Sequence, residues 1–194
     1  MSTCLRLPAA DYQRMPWRNG LGSTLEIARD TPADDFGWRL SLADVTQSGD
    51  FSPFAGMTRI ISVIEGAGMR LLVDGIPTPA LGRWQAFVFS GDARVSCELL
   101  DGPIRDFNLI YRADRYQAEL AWIPVEGSLQ LEDRRTLLLF CAQGSVVIRS
   151  ERESVELGTL DALHLPSGPI PARLTIQGSA QLCVIRLRTR APAA

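Results

Sequence analysis

The sequence predicts an all-β protein made of two tandem jelly-roll barrels. Three observations carry this expectation. Apolar or alternating runs of four to eight residues recur along the chain, cut by glycine, proline or aspartate, and helical periodicity is nearly absent. The runs fall into two sets that resemble each other at an offset of about 76 residues. Each set has enough strands to close a small barrel around one buried face.

The first set opens with STLEIAR (23–29), which sets Thr24 and Glu26 on one face and Leu25 and Ile27 on the other. WRLSLADV (38–45) sets Arg39, Ser41, Ala43 and Val45 against Trp38, Leu40 and Leu42. TRIISVIE (58–65) puts Arg59, Ile61, Val63 and Glu65 on a common face and ends at a glycine. MRLLVDG (69–75) ends in an Asp-Gly turn, QAFVFSG (85–91) follows a Leu-Gly break, and RVSCELLD (94–101) follows Ser-Gly. RDFNLIYR (105–112) faces Asp106 and Asn108 away from Phe107 and Leu109. The second set is AELAWIPV (118–125), TLLLFCAQ (136–143), SVVIRSE (145–151), SVELGTL (154–160), DALHLPSG (161–168), ARLTIQG (172–178) and AQLCVIRL (180–187). Gly82 matches Gly158, Ser90-Gly91 matches Ser167-Gly168, and FNLI (107–110) matches LCVI (182–185). The expected halves are residues 1–115 and 116–194, forming one compact two-barrel unit.

Composition narrows the function. The chain has 194 residues, 46% of them hydrophobic, and a net charge of −2, as expected of an ordinary globule. No basic run suggests a nucleic-acid partner. The longest apolar runs, such as RTLLLFCA, are strand-length and too short for a membrane span. MSTCLRLPAADYQ lacks the charged head and apolar core of a signal peptide, so a cytoplasmic location is expected. All 20 basic residues are arginine, which excludes a lysine Schiff base or lysine general base. His164 is the single histidine, too few for the common multi-histidine metal sites. Cys4, Cys97, Cys141 and Cys183 lie far apart without a CxxC pair and read as reduced thiols, mostly within strands. No metal and no cofactor are expected.

Three stretches carry a family resemblance: MPWRNGLGSTLEIA (15–28), SGDFSPFAGMTRIISVIEGAGMRLLVDG (48–75) and LLDGPIRDFNLIYRA (99–113). Together with the duplicated barrel they resemble the HutD/Ves family, whose cupin-like barrels make it a family of bicupins. The chain departs from the family at Leu21, where a glycine is usual, and at Leu25, where an arginine is usual. The resemblance implies a link to bacterial histidine utilisation and binding of a small acid of that pathway, of the urocanate or N-formylglutamate type. No catalytic activity is firmly attached to the family.

The residues say where such an acid would sit. Each strand of the first set carries a polar or small-residue face that is either solvent-exposed or a pocket lining. The matching strands of the second set are apolar on both faces, so the second barrel is expected to be packed solid or to form an interface. Arg59 is the expected carboxylate anchor and Arg39 the second, because a guanidinium matches a carboxylate with two parallel hydrogen bonds. Either could instead be a surface arginine. Asn108 and Glu26 would read the neutral or donor part of the ligand, although Glu26 could equally be a salt-bridge partner. Ser41 and Thr24 lie on the same faces. Pro16, Gly20 and Gly22 suggest a turn with positive φ that lays Trp17, Arg18 and Asn19 across the barrel mouth, as ligand cover or as a structural plug. His164, matched to Phe87 in the first repeat, reads as structural.

The function expected is therefore a metal-free, non-enzymatic binder of a small carboxylate, which limits or reports pathway flux. One alternative is a metal-independent isomerase or hydrolase with Glu26 or Asp106 as general base. Another is an interaction module without a ligand. No nucleic acid and no membrane are expected as partners, and a homodimer is compatible with the sequence.

Overall fold

The structure is a computed structural model that describes residues 4–17, 22–32 and 35–191. Among the described residues its regular secondary structure is strand, apart from one 3-10 turn at Ala9–Asp11. The strands are β1 (Leu5–Leu7), β2 (Gln13–Pro16), β3 (Gly22–Arg29), β4 (Trp38–Val45), β5 (Gly49–Asp50), β6 (Thr58–Glu65), β7 (Met69–Val73) and β8 (Ile76–Pro77). They continue as β9 (Phe87–Ser90), β10 (Val95–Leu99), β11 (Ile104–Tyr111), β12 (Tyr116–Asp133), β13 (Thr136–Arg149), β14 (Ser154–Leu157), β15 (Ala162–Leu165) and β16 (Ala172–Thr189). Among the described residues no helix is long and apolar enough to cross a membrane.

Among the described residues the chain divides into two compact units, one of residues 13–116, the other of residues 4–12 with 117–190. Residues 4–12 therefore belong with the second unit, where β1 pairs with β15. In the unit that begins at Gln13, β2-β3-β4-β11-β6-β9 form a six-stranded sheet and β5-β10-β7-β8 a four-stranded one. In the other unit the order is β1-β15-β13-β16-β12, with β14 on β13. Its strands β13 and β16 are long, and within them Gly144 and Gly178, both at positive φ, lie in register with Ala180 and Val146, close to the register shift at Ala142.

The pairing pattern confirms the duplication. β6 pairs with β9 and β11, and β7 with β8 and β10; the two halves of β13 likewise pair with β15 and β16, and with β14 and β16. Irregularities repeat as well. The register of β6 against β11 slips at Ile64, and that of β13 against β16 slips at Ala142. Trp84 and Leu160, both bulky residues at positive φ, donate their backbone N–H groups to Val63 and Cys141.

This register corrects two sequence matches by one residue. Ile61 pairs with Asn108 and Leu139 with Val184, so Asn108 corresponds to Val184, where the sequence match gave Cys183. His164 corresponds to Val88, where the sequence match gave Phe87, since the paired Phe89 and Leu165 are equivalent. A one-residue slip exchanges the two faces of a strand. His164 therefore alternates with the buried Leu163 and Leu165 and lies on the opposite face from them.

The second unit has a continuous apolar core that includes Leu137, Leu139, Leu182 and Val184. In the first unit the core holds Val45, Ile61, Val63, Leu71, Val95 and Ile104. It stops short of the positions occupied by Arg59 and Asn108. All four cysteines are free thiols, with Cys97, Cys141 and Cys183 buried.

Candidate ligand-binding site

Antiparallel register lays the polar residues out in rows across the six-stranded sheet. One row runs Arg29, Arg39, Ile110, Arg59, Phe89; the next runs Glu26, Ser41, Asn108, Ile61, Phe87; a third runs Thr24, Ala43, Asp106, Val63. An open cavity of about 670 Å³ lies over these rows. Trp17, Thr24, Arg39, Ser41, Arg59 and Asn108 all line it, together with Asp106. Six of the eight residues expected from sequence thus surround one space. Asn19 lies outside the described residues, as do Arg18, Gly20 and Leu21.

Glu26 is the exception. It shares the row of Ser41 and Asn108 but is absent from the cavity lining. Arg29 holds both its carboxylate oxygens, with Nε to Oε1 at 2.7 Å and Nη2 to Oε2. Strict alternation would face Arg29 away from Glu26. A bulge at Ile27 brings Arg29 level with Arg39 instead. The same device removes Glu65 from the face of Arg59: after the slip at Ile64 it is exposed and accepts from Arg105 at 3.0 Å.

Arg59 is only 6% exposed. Its Nη2 donates to Asn108 Oδ1 at 2.9 Å and its Nη1 to the Ser52 carbonyl at 3.4 Å. Its Nε is buried without a hydrogen-bond partner, as is the Nε of Arg39. Phe51, Phe54 and Phe89 stand 5.3, 5.3 and 4.9 Å from the Arg59 guanidinium carbon. Phe54 also lies 5.1 Å from that of Arg39, which has Phe36 on another side at 5.4 Å. Aromatic faces stabilise a cation but do not complete its hydrogen bonds. Burial lowers the pKa of both arginines, that of Arg59 to about 10, a measure of incompletely satisfied charge.

One carboxylate answers Arg59. Asp106 is 1% exposed, and its Oδ1 accepts from Asn108 Nδ2, so Asn108 links the acid to the arginine. Burial pushes the Asp106 carboxyl up to about 7, while Arg59 pulls it back down. The alternation of β11 places Asp106 on the polar face, where it is the candidate base of the alternative reading, but nothing local in the sequence marks its complete burial. The phenylalanines carry no local signal of this role, because they converge from three separate segments, at Phe36, at Phe51 with Phe54, and at Phe89.

Trp17 closes one side of the lining. Its Nε1 donates to Thr24 Oγ1 at 2.9 Å and its backbone N–H to Gly22 O at 2.9 Å. The expected positive φ at Gly22 is not found; what this glycine provides is close approach. A Cβ there would fall 2.2 Å from the Asp44 carbonyl and 3.0 Å from the Trp17 ring. Among the described residues, no three His, Cys, Asp or Glu side chains form a group that could hold a metal ion.

The fold defines a bicupin, and this cavity is lined wholly by residues of one barrel. As a likeness of fold alone, the Escherichia coli pirin YhhW, solved with nickel(II), matches with a TM-score of 0.74 at 11% identity, covering 98% of this chain and 100% of that one. The HutD family model matches residues 9–184, and the chain belongs to the HutD family. An uncharacterised 21.2 kDa protein of the hutC 3′ region of Pseudomonas putida is 50% identical over 194 residues, 98% of this chain and 100% of that protein. HutD from Pseudomonas fluorescens SBW25, solved in a formate condition, is 44% identical with a TM-score of 0.85, covering 97% of this chain and 100% of its own. A conserved protein of unknown function from Pseudomonas aeruginosa PAO1 is 49% identical with a TM-score of 0.93, covering 96% of this chain and 99% of its own. The family is linked to the histidine-utilisation locus.

Proposed function

We propose that this chain binds a small carboxylate metabolite of histidine degradation, of the urocanate or N-formylglutamate type, in the cytoplasm and without a metal ion, and that binding limits or reports flux through the pathway. The observation that carries this is the pair of arginines on the cavity wall, each with a buried Nε lacking a partner. A buried cation whose hydrogen bonds are incomplete is costly, and an entering carboxylate would relieve that cost. The guanidinium fork suits two carboxylate oxygens, and the aromatic surround suits a flat or short organic acid. The volume is in the range that accommodates small metabolites. Family membership and the locus link supply the metabolic context.

The test is a thermal-shift screen with urocanate, N-formylglutamate, glutamate and formate, followed by calorimetry and by an assay for conversion of each acid. Saturable stabilisation without conversion supports the reading. No shift with any of the four acids refutes it.

A second reading rests on Asp106. A buried carboxyl with its pKa near neutrality on a cavity wall is what a general base requires. Conversion of an acid by the parent protein, abolished in Asp106→Asn, would establish that reading instead.

A further inference from the structure

The geometry points to Asp106 as the built-in counter-ion of Arg59, a role it gives up by taking a proton when a carboxylate arrives, so that the site takes in one acid anion together with one proton. This rests on the reading that the cavity binds a carboxylate.

Charged groups surround Asp106 from several strands. From β6 it faces Arg59, reached through Asn108 on its own strand. From β4 come Arg39, whose charge acts on Arg59, and Asp44, whose charge opposes ionisation of Asp106. Asp44 is itself occupied by Arg14 at 3.0 Å and by Arg105, the neighbour of Asp106 on β11, at 2.6 Å. From β10 comes Cys97, whose thiol pKa is raised by burial, so it carries no charge at neutral pH. The desolvated wall thus holds two cations, Arg39 and Arg59, and one acid without a salt bridge of its own.

With the cavity empty of anion, an ionised Asp106 is the charge that Arg59 has. A carboxylate on the Arg59 fork would place a second negative charge on the same wall, one asparagine away from the first. Two carboxylates in a low-dielectric site cannot both remain ionised cheaply, and the one without solvent takes the proton. Asp106 is at most 1% exposed, whereas the ligand makes the direct contacts to the guanidinium. Asp106 is therefore the acid that becomes neutral. Burial already holds its pKa at about 7, so a modest further rise is enough to drive proton uptake at neutral pH. The proton comes from solvent, and no bond other than O–H is made.

The experiment is calorimetric titration of the parent and of Asp106→Asn with N-formylglutamate at pH 6, 7 and 8, in two buffers with different heats of protonation. The carboxyl groups of this probe stay ionised throughout, since free carboxyls titrate near pH 4. The parent should take up a fraction of a proton that is larger at pH 8 than at pH 6. Its affinity should fall above pH 7 by up to tenfold per pH unit. Asp106→Asn should bind with no proton uptake and little pH dependence, at pH 8 at least as tightly as the parent. Binding by the parent without proton uptake overturns this inference and leaves the proposed function standing. Unchanged proton uptake in Asp106→Asn also overturns it. If the variant does not fold, the proton count of the parent decides. Failure of the parent to bind any of the acids in the screen removes the proposed function, and this inference with it.

Discussion

Arg59 on β6 donates to Asn108 on β11 at 2.9 Å, and Asn108 in turn donates to Asp106, so one amide joins a buried cation to a buried acid. Asparagine is disfavoured in strands, and here it has a partner on each side of its amide. The equivalent positions of the second unit hold Leu137, Val184 and Leu182, all fully buried in an apolar core. At these three positions one copy of the barrel is apolar and the other holds a polar relay.

Removing the fork should remove the ligand. Charge-assisted hydrogen bonds contribute about 1.5–3 kcal/mol, so Arg59→Ala should weaken carboxylate binding by roughly ten- to a hundred-fold. Arg59→Lys should also bind more weakly, because it keeps the charge but not the planar pair of donors. His164→Ala, in the other unit, should leave affinity unchanged. Calorimetry with the best acid of the screen checks all three, and equal affinity in Arg59→Ala and parent would rule out the anchor.

Asp106 should make the ligand-free protein less stable as pH rises. Its folded pKa of about 7 lies above the ordinary 3.8. Between these values the folded state holds a proton that the unfolded state has released, so its contribution falls as pH increases through that window and is constant above it. The full effect is on the order of 2–4 kcal/mol. Urea midpoints at pH 4.5 and 7.5 should show that fall in the parent and a smaller one in Asp106→Asn.

Asp133 should act in the opposite sense. Hydrogen bonds from Arg135 and Arg186 hold its carboxyl down at about 2, below the ordinary 3.8. Its contribution, about 2 kcal/mol, is present above pH 4 and lost as pH falls through the folded value. Asp133→Asn should therefore lower the urea midpoint clearly at pH 7 and much less at pH 2.

Gly91 positions an aromatic wall of the cavity. Its N–H donates to the Met57 carbonyl at 2.7 Å, and its carbonyl accepts from Phe54 at 2.8 Å. A Cβ on Gly91 would sit 2.2 Å from Phe54 O and 2.9 Å from Met57 O. Gly91→Ala must push the Phe54 segment away and so move the ring that lies against both Arg39 and Arg59. A loss of stability of about 1–3 kcal/mol and weaker acid binding are expected. Unchanged affinity in a folded Gly91→Ala would show that Phe54 does not shape the site.

The all-β class, the duplication, the family and the faces of most strands are legible in the amino-acid order alone. Arg39, Ser41, Arg59 and Asn108 were legible as one lining because a strand alternates with a period of two, and because the central residues of the matching strands in the second repeat, LLLF and LCVI, are apolar on both faces. What broke that period was set by tertiary structure. Bulges at Ile27 and Ile64 turned Arg29 towards Glu26 and took Glu65 off the face of Arg59. A bulge depends on how two distant strands are forced to pair, and no local pattern records it. The aromatic enclosure is equally non-local, since Phe36, the Phe51–Phe54 segment and Phe89 reach the two arginines from three parts of the chain. Asp106 reads in sequence as an ordinary acid on a polar face. Only the closing of the fold withdrew it from water, and loss of hydration is what moves its pKa towards neutrality.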